Sequence, residues 1–117
     1  MSRSRHSLIP LRIDGQPTRR EVAHRRGWLG HALAFQGKDA QPGACGTWLM
    51  RCHSVVNLHR SVDIAFLGED GTVIKVCAKV RPWEVVICRK ASSALTLRRG
   101  LASRLGLRPG VPLDLHA

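Results

Sequence analysis

The chain has 117 residues, 44% of them hydrophobic, and carries 19 Lys and Arg against 8 Asp and Glu, a formal charge of +11 at pH 7. That length makes one domain able to bury a core, with no room for a second compact unit. No apolar run reaches the roughly 18 residues of a membrane helix, and the hydrophobic content is too high for a disordered basic tail. Fifteen of the basic residues are Arg, and seven of these fall within the first 26 positions, against Asp14 and Glu21. An Arg excess favours an anionic partner, although GC-rich coding produces the same bias whatever the function. Sequence-tolerant nucleic-acid binding pairs a basic groove with stacking aromatics, and here Tyr is absent, with two Phe and three Trp.

Residues 1–7 are expected to form a flexible basic N-terminus and 8–117 a single β domain. Leu8–Ile13 reads as a short strand whose Pro10 suits an edge, and 14–17 as a turn. Thr18-Arg19-Arg20-Glu21 has the form of a capping box, so a helix of about two turns is expected near 19–26 and ended by Gly27. The stretch Leu29–Phe35 has no clear period. Gly and Pro make 36–46 a loop, Thr47–Arg51 is a strand candidate, and His53–Arg60 reads as irregular. Val62–Leu67 and Thr72–Val80 form a hairpin around Gly68-Glu69-Asp70-Gly71. Ile74, Val76, Ala78 and Val80 share one of its faces. A break at 81–83 precedes strands at 84–88 and 94–97. Gly100–Gly106 holds a helical turn with Leu101 and Leu105 pointing inward. Val111–Leu115 is the last strand, with Val111, Leu113 and Leu115 on one face. Strands every 10–12 residues or so with Gly/Pro punctuation indicate a mainly β protein, a small antiparallel β sandwich or barrel with one or two short helices.

Cys45, Cys52, Cys77 and Cys88 contain no C-x-x-C pair, so a zinc site has no motif here and neither metal nor cofactor is expected. The N-terminus lacks the apolar segment of a secretory signal, which makes the cytoplasm, and free thiols, the expectation. Cys52 beside His53 raises a nucleophile and base pair, but neighbours on a strand point to opposite faces. Phosphate loops, nucleophile elbows and zinc-protease motifs are absent.

Three segments together resemble a known pattern. Arg26-Gly27-Trp28-Leu29-Gly30-His31 is similar to an R-G-L-x-G-R opening. Val62–Leu67 followed by Glu69–Ile74 is similar to P-[IL]-D-[IV]-x-F-[IL]-D-x-x-G-x-V. Ala94–Leu97 through Gly100 and Arg104–Gly110 is similar to V-L-E-L-x-x-G followed by G-L-x-x-G-D. The set, in this order over roughly 8–115, resembles domain-of-unknown-function family 192. The resemblance implies a compact β sandwich with short helices, no assigned activity, and an accessory role near pilus or secretion machinery. Ser61, Thr96 and Val111 depart from the family's Pro, Glu and Asp.

Asp63, set between Val62 and Ile64, is the most informative polar residue. Facing inward it must be bonded, either orienting a ligand or fastening a loop such as His53–Asn57 through backbone amides; the fastening role is the preferred reading. Arg51, His53 and Asn57 precede that strand, Arg26 and Trp28 come from the first motif, and Arg81 and Trp83 from the break after Val80. Together with Asp63 they are expected to wall one cleft for an unknown protein or small anionic ligand. The functional expectation is a non-catalytic accessory or binding domain. The alternatives are a small thiol- or carboxylate-dependent enzyme and a nucleic-acid-binding protein.

Overall fold

Every residue of β4 (Val62–Leu67) is buried, so its sequence VDIAFL carries no polar face. Both of its sides are covered, and its alternate side chains enter two different cores. Ala65 and Leu67 join Ile9, Leu11, Val22, Leu95, Leu97, Leu101 and Leu113. Val62, Ile64 and Phe66 join Leu49, Cys52, Val55, Val80 and Ala94. Full burial of each large aliphatic or aromatic side chain contributes about 1.5–3 kcal/mol.

The computed structural model of the protein describes residues 8–34, 44–58 and 60–115, with side chains except at 26–34. The basic terminus 1–7 and most of the 36–46 loop lie outside these residues. In chain order the remaining elements are β1 (Ile9–Ile13), β2 (Gln16–Ala34), β3 (Ala44–Asn57), β5 (Val73–Val80), β6 (Val85–Ile87), β7 (Ser93–Arg98), helix α1 (Leu101–Arg104) and β8 (Leu113–Asp114). They form one sheet in the order β5-β4-β7-β3-β2-β1-β8, with β6 paired to β3 off this path. All pairs are antiparallel except β2 with β3, which run parallel. The two ends of the sheet meet. Thr72 bridges Pro112, and the Val73 and Leu113 amides donate to Val111 and Gly71 carbonyls at 2.8 and 2.9 Å. The architecture is therefore mainly β and barrel-like.

Two expectations are corrected. Residues 19–26 belong to β2, not to a helix. The Thr18 hydroxyl donates to the Leu11 carbonyl across the hairpin at 2.7 Å and accepts the Arg20 amide at 3.2 Å, so it does not cap Glu21. A two-turn helix is marginal on its own. Pairing with β1 (Leu11↔Arg20) and β3 (Ala23↔Thr47), with Val22 and Ala23 buried, decides for the strand. Residues 53–57, read as irregular, continue β3. The strand changes partner midway: 46–50 pair with β7 and 54–56 with β6. Between these stretches Arg51 takes a φ of 53°, the local irregularity that lets one strand serve both cores.

The hairpin of β4 and β5, the turn-like helix at 101–104 and the inward Leu113 match the sequence reading. The alternation in β5 does not run to its end. Ala78 is exposed while Val80 is buried, because a bulge opposite Asp63 inserts a residue: Val62 pairs with Val80 but Ile64 with Cys77.

Candidate functional site

The bulge centres on Lys79, whose φ of 54° is uncommon for a residue with a side chain. Its amide donates to Asp63 Oδ1 at 2.9 Å. The other carboxylate oxygen, Oδ2, accepts the amides of Gly100 at 2.9 Å and Ala102 at 3.0 Å. Gly100 is the N-cap of α1, with φ 87° and no side chain to cap with. Asp63 thus caps α1 from a neighbouring strand and fixes the β5 bulge with the same group. Asp63 is 1% exposed and its carboxylate is held by three amides, which compensates the cost of burying it. The loops it fastens are those of β5 and α1; the segment 53–57 is held differently.

Asn57, fully buried, grips the end of β5 from the other side. Its Nδ2 donates to the carbonyls of Val80 at 3.0 Å and Arg60 at 2.9 Å. Its backbone binds the next turn: the Asn57 amide donates to Glu84 O, and the Asn57 carbonyl accepts the Trp83 amide. In that turn the Glu84 amide returns to Arg81 O at 3.1 Å, with Pro82 and Trp83 at the central positions. Trp83 has a φ of 66°, the sign a type II turn requires and normally assigns to Gly. Arg81 is exposed and faces Glu84, by its amide at 2.8 Å and its guanidinium at 3.9 Å.

Of the eight expected site residues, the structure gathers Asp63, Asn57, Arg81 and Trp83 around the end of β5. Arg51 is exposed at the partner change in β3. The half-buried His53 ties β3 to the end of β6, its carbonyl accepting the Cys88 amide at 2.8 Å. Arg26 and Trp28 lie on β2, where Arg26 pairs with Met50; their side chains are outside the described residues.

The surface beside this cluster holds residues the sequence reading passed over. Trp83, Val85 and Ile87 are 74%, 52% and 50% exposed; Val85 and Ile87 form an apolar stripe on one face of β6, and Trp83 stands in the turn that leads into it. Val86, between Val85 and Ile87, packs against the second core. In sequence, Val85-Val86-Ile87 reads as a buried run, and only its position over β3 shows which two face outward. Lys75 reaches the Ile87 carbonyl at 3.4 Å, and Arg89 and Lys90 follow as exposed cations.

The thiol alternative meets a buried sulfur. Cys52 is 1% exposed and its Sγ donates to Ser54 O at 3.2 Å. Burial pushes its pKa up from the ordinary 9.0, and the Ser54 bond offsets this only in part. Among the described residues no three His, Cys, Asp or Glu side chains come together to hold a metal, and no helix is long and apolar enough to cross a membrane.

A family model matches residues 47–115, from near the start of β3 to the end of the described residues: DUF192, described as Uncharacterized ACR. The chain belongs to this family. The DUF192 match contains Asp63, Asn57 and both gripped segments; the Arg26–His31 motif lies before it. No curated protein is matched. Two solved structures share the fold. A candidate transcription regulator from Sinorhizobium meliloti 1021 is 16% identical, with a TM-score of 0.66 over 97% of this chain and 98% of its own. A protein of unknown function from Novosphingobium aromaticivorans DSM 12444 is 20% identical, with a TM-score of 0.60 over 95% and 93%.

Proposed function

We propose that the protein is a non-catalytic accessory domain that binds another protein through the surface carrying Trp83, Val85 and Ile87. The observation that carries this reading is Trp83. It sits at a positive φ where Gly costs less and exposes 74% of its surface, so folding does not account for an indole side chain at this position. Aromatic residues of that kind anchor interfaces. Asp63 and Asn57, both buried, hold the end of β5 from two sides, and Asn57 also binds the turn that carries Trp83. Of the expected cleft, the proposal keeps Arg81 and Trp83 as contact residues and Asp63 and Asn57 as their support. From the expectation of pilus or secretion machinery it keeps the shared element, an accessory contact with another protein.

The test places a photo-crosslinking phenylalanine derivative, which keeps an aromatic ring, at Trp83 and, as a control, at exposed Arg108, in cells that express the full chain. We expect one protein species joined at position 83 and not at 108, and lost when Val85→Thr and Ile87→Thr are added. Equal adducts at both positions overturn the proposal. So does salt-sensitive binding of DNA or RNA, unaffected by the stripe substitutions and without a protein adduct; this is the outcome expected for a transcription regulator.

A further inference from the structure

The backbone of β6 is half used. Hydrogen bonds from Cys88 N to His53 O and from Asn57 N to Glu84 O, with Val55 opposite Val86 between them, set the alternation of an antiparallel ladder. Val86 therefore turns its amide and carbonyl to β3, and Val85 and Ile87 turn theirs away. Among the described residues β6 has no second strand partner. The contact found on its outer side is Lys75 Nζ on the Ile87 carbonyl, exposed and long at 3.4 Å. Natural edge strands are commonly protected by charge, proline or bulges. Here the outer edge carries a displaceable lysine beside two exposed branched aliphatics.

The charge around this edge is mostly positive. Arg81 precedes the stripe, Arg89 and Lys90 follow it, Lys75 lies across it, and all four are exposed. Glu84 is the acidic residue in the same stretch, and it already faces Arg81.

We infer that the outer edge of β6 receives an extended, acidic segment of the partner protein as an added strand, paired to the amide and carbonyl groups of Val85 and Ile87. This rests on the protein-binding reading above and names the partner's chemistry. Main-chain bonds give such a strand its affinity and the alternate side chains its selectivity. Its apolar residues lie beside Val85, Ile87 and Trp83, and its carboxylates meet Arg81, Lys75, Arg89 and Lys90.

The probe is a synthetic peptide of about eight residues alternating Val and Glu, titrated against the full chain. Its counterparts carry N-methyl groups on alternate amides, or Lys in place of Glu. We expect binding with a Kd below about 1 mM, weakened about tenfold or more by N-methylation in one of the two alternating frames and by the Lys exchange. On the protein, Ile87→Pro removes an outward N–H that β3 does not use, and edge strands tolerate proline; it should weaken the peptide similarly, with the circular dichroism unchanged. Equal affinity for both N-methylated peptides and the parent overturns strand addition, and this arm needs no variant to fold. Equal affinity for the Lys peptide overturns the acidic assignment. If the Trp83 adduct is lost with Val85→Thr and Ile87→Thr but survives Ile87→Pro, strand addition falls and the protein-binding reading stands. If the adduct survives all three, both fall.

Discussion

Asp63 in β4 and Ala102 in α1 are joined by a 3.0 Å bond from the Ala102 amide to the buried carboxylate, 39 positions apart in the chain. The same carboxylate takes Gly100 and Lys79. One side chain thereby supplies the capping acceptor that Gly100, the N-cap of α1, lacks, and fixes the bulge that ends β5. A helix of four residues has little stability of its own, so the 99–106 segment depends on this contact and on Leu101 and Ala102 in the core.

Removing that carboxylate should cost stability first. Asp63→Ala orphans three amides, and we expect a loss of about 4 kcal/mol, given about 1.5–3 kcal/mol for each hydrogen bond to a charged group and partial relaxation. Asp63→Asn retains an acceptor but turns an amide group towards a donor, and should lose about 2 kcal/mol. Urea unfolding followed by circular dichroism checks both. A ligand-binding aspartate would show the reverse pattern, with stability kept or raised.

Asn57→Ala leaves the Val80 and Arg60 carbonyls without their donor and should cost about 2 kcal/mol. Asn57→Asp is worse, because a carboxylate would face two carbonyl oxygens. Hydrogen exchange should locate the damage at the 81–84 turn, which shares its backbone bonds with Asn57.

Trp83 should respond in the opposite sense. Trp83→Gly relieves a positive φ and removes an exposed indole, while the greater freedom of glycine in the unfolded chain offsets part of that gain. Thermal unfolding should place the variant within about 1 kcal/mol of the parent, yet a photo-crosslinking residue placed at Val85 in it should no longer join the partner. A marked loss of stability would return Trp83 to a packing role.

The thiols should be slow at neutral pH. Burial raises Cys45, Cys52 and Cys77 above the ordinary value of 9.0, so the folded protein holds these protons more tightly than the unfolded chain. Stability from this source is fully present below pH 9 and is lost as pH rises through the higher folded values. Melting temperature should therefore fall above pH 9. With a disulfide reagent at pH 7, Cys52 should react more slowly than free cysteine and speed up on unfolding. A fast thiol in the native protein would restore the thiol-enzyme alternative.

Gly46 pairs with Leu97 where β3 meets β7, and a methyl group there would lie 2.0 Å from the Thr96 carbonyl oxygen. Gly46→Ala must push two backbones apart, and we expect a loss of about 2–3 kcal/mol, read from the urea midpoint.

Much of the C-terminal half was legible because its signals are local. Val62–Leu67, the Gly68–Gly71 turn and the inward side of Val111–Leu115 follow from apolar pattern and turn chemistry alone. The preferred role for Asp63 also followed, since a buried carboxylate must be bonded, but its partners come from strands and a helix that only folding brings near. The capping-box reading of 18–21 failed because β1 and β3 flank that segment, and two sheet ladders outweigh one local cap. The continuation of β3 past Arg51 was hidden for the same reason: His53–Asn57 has a mixed pattern, and its partner β6 begins 28 residues later, at Val85. The exposed stripe was hidden by composition, as Val85 and Ile87 look like core residues until the sheet turns them outward.

The seam between Thr72 and Pro112 joins residues 40 positions apart, and the pairing of Ile13 to Leu113 joins residues 100 apart. Such non-local closure is slow, because the loop entropy is spent before the contact repays it. During synthesis β1 and β2 leave the ribosome long before β8 exists, and the edge of β1 that β8 will cover stays open in the meantime. The nascent chain is thus most exposed to wrong pairing just before its last strand is made, and its yield in the cell should depend more on chaperones and growth temperature than the stability of the finished barrel would suggest.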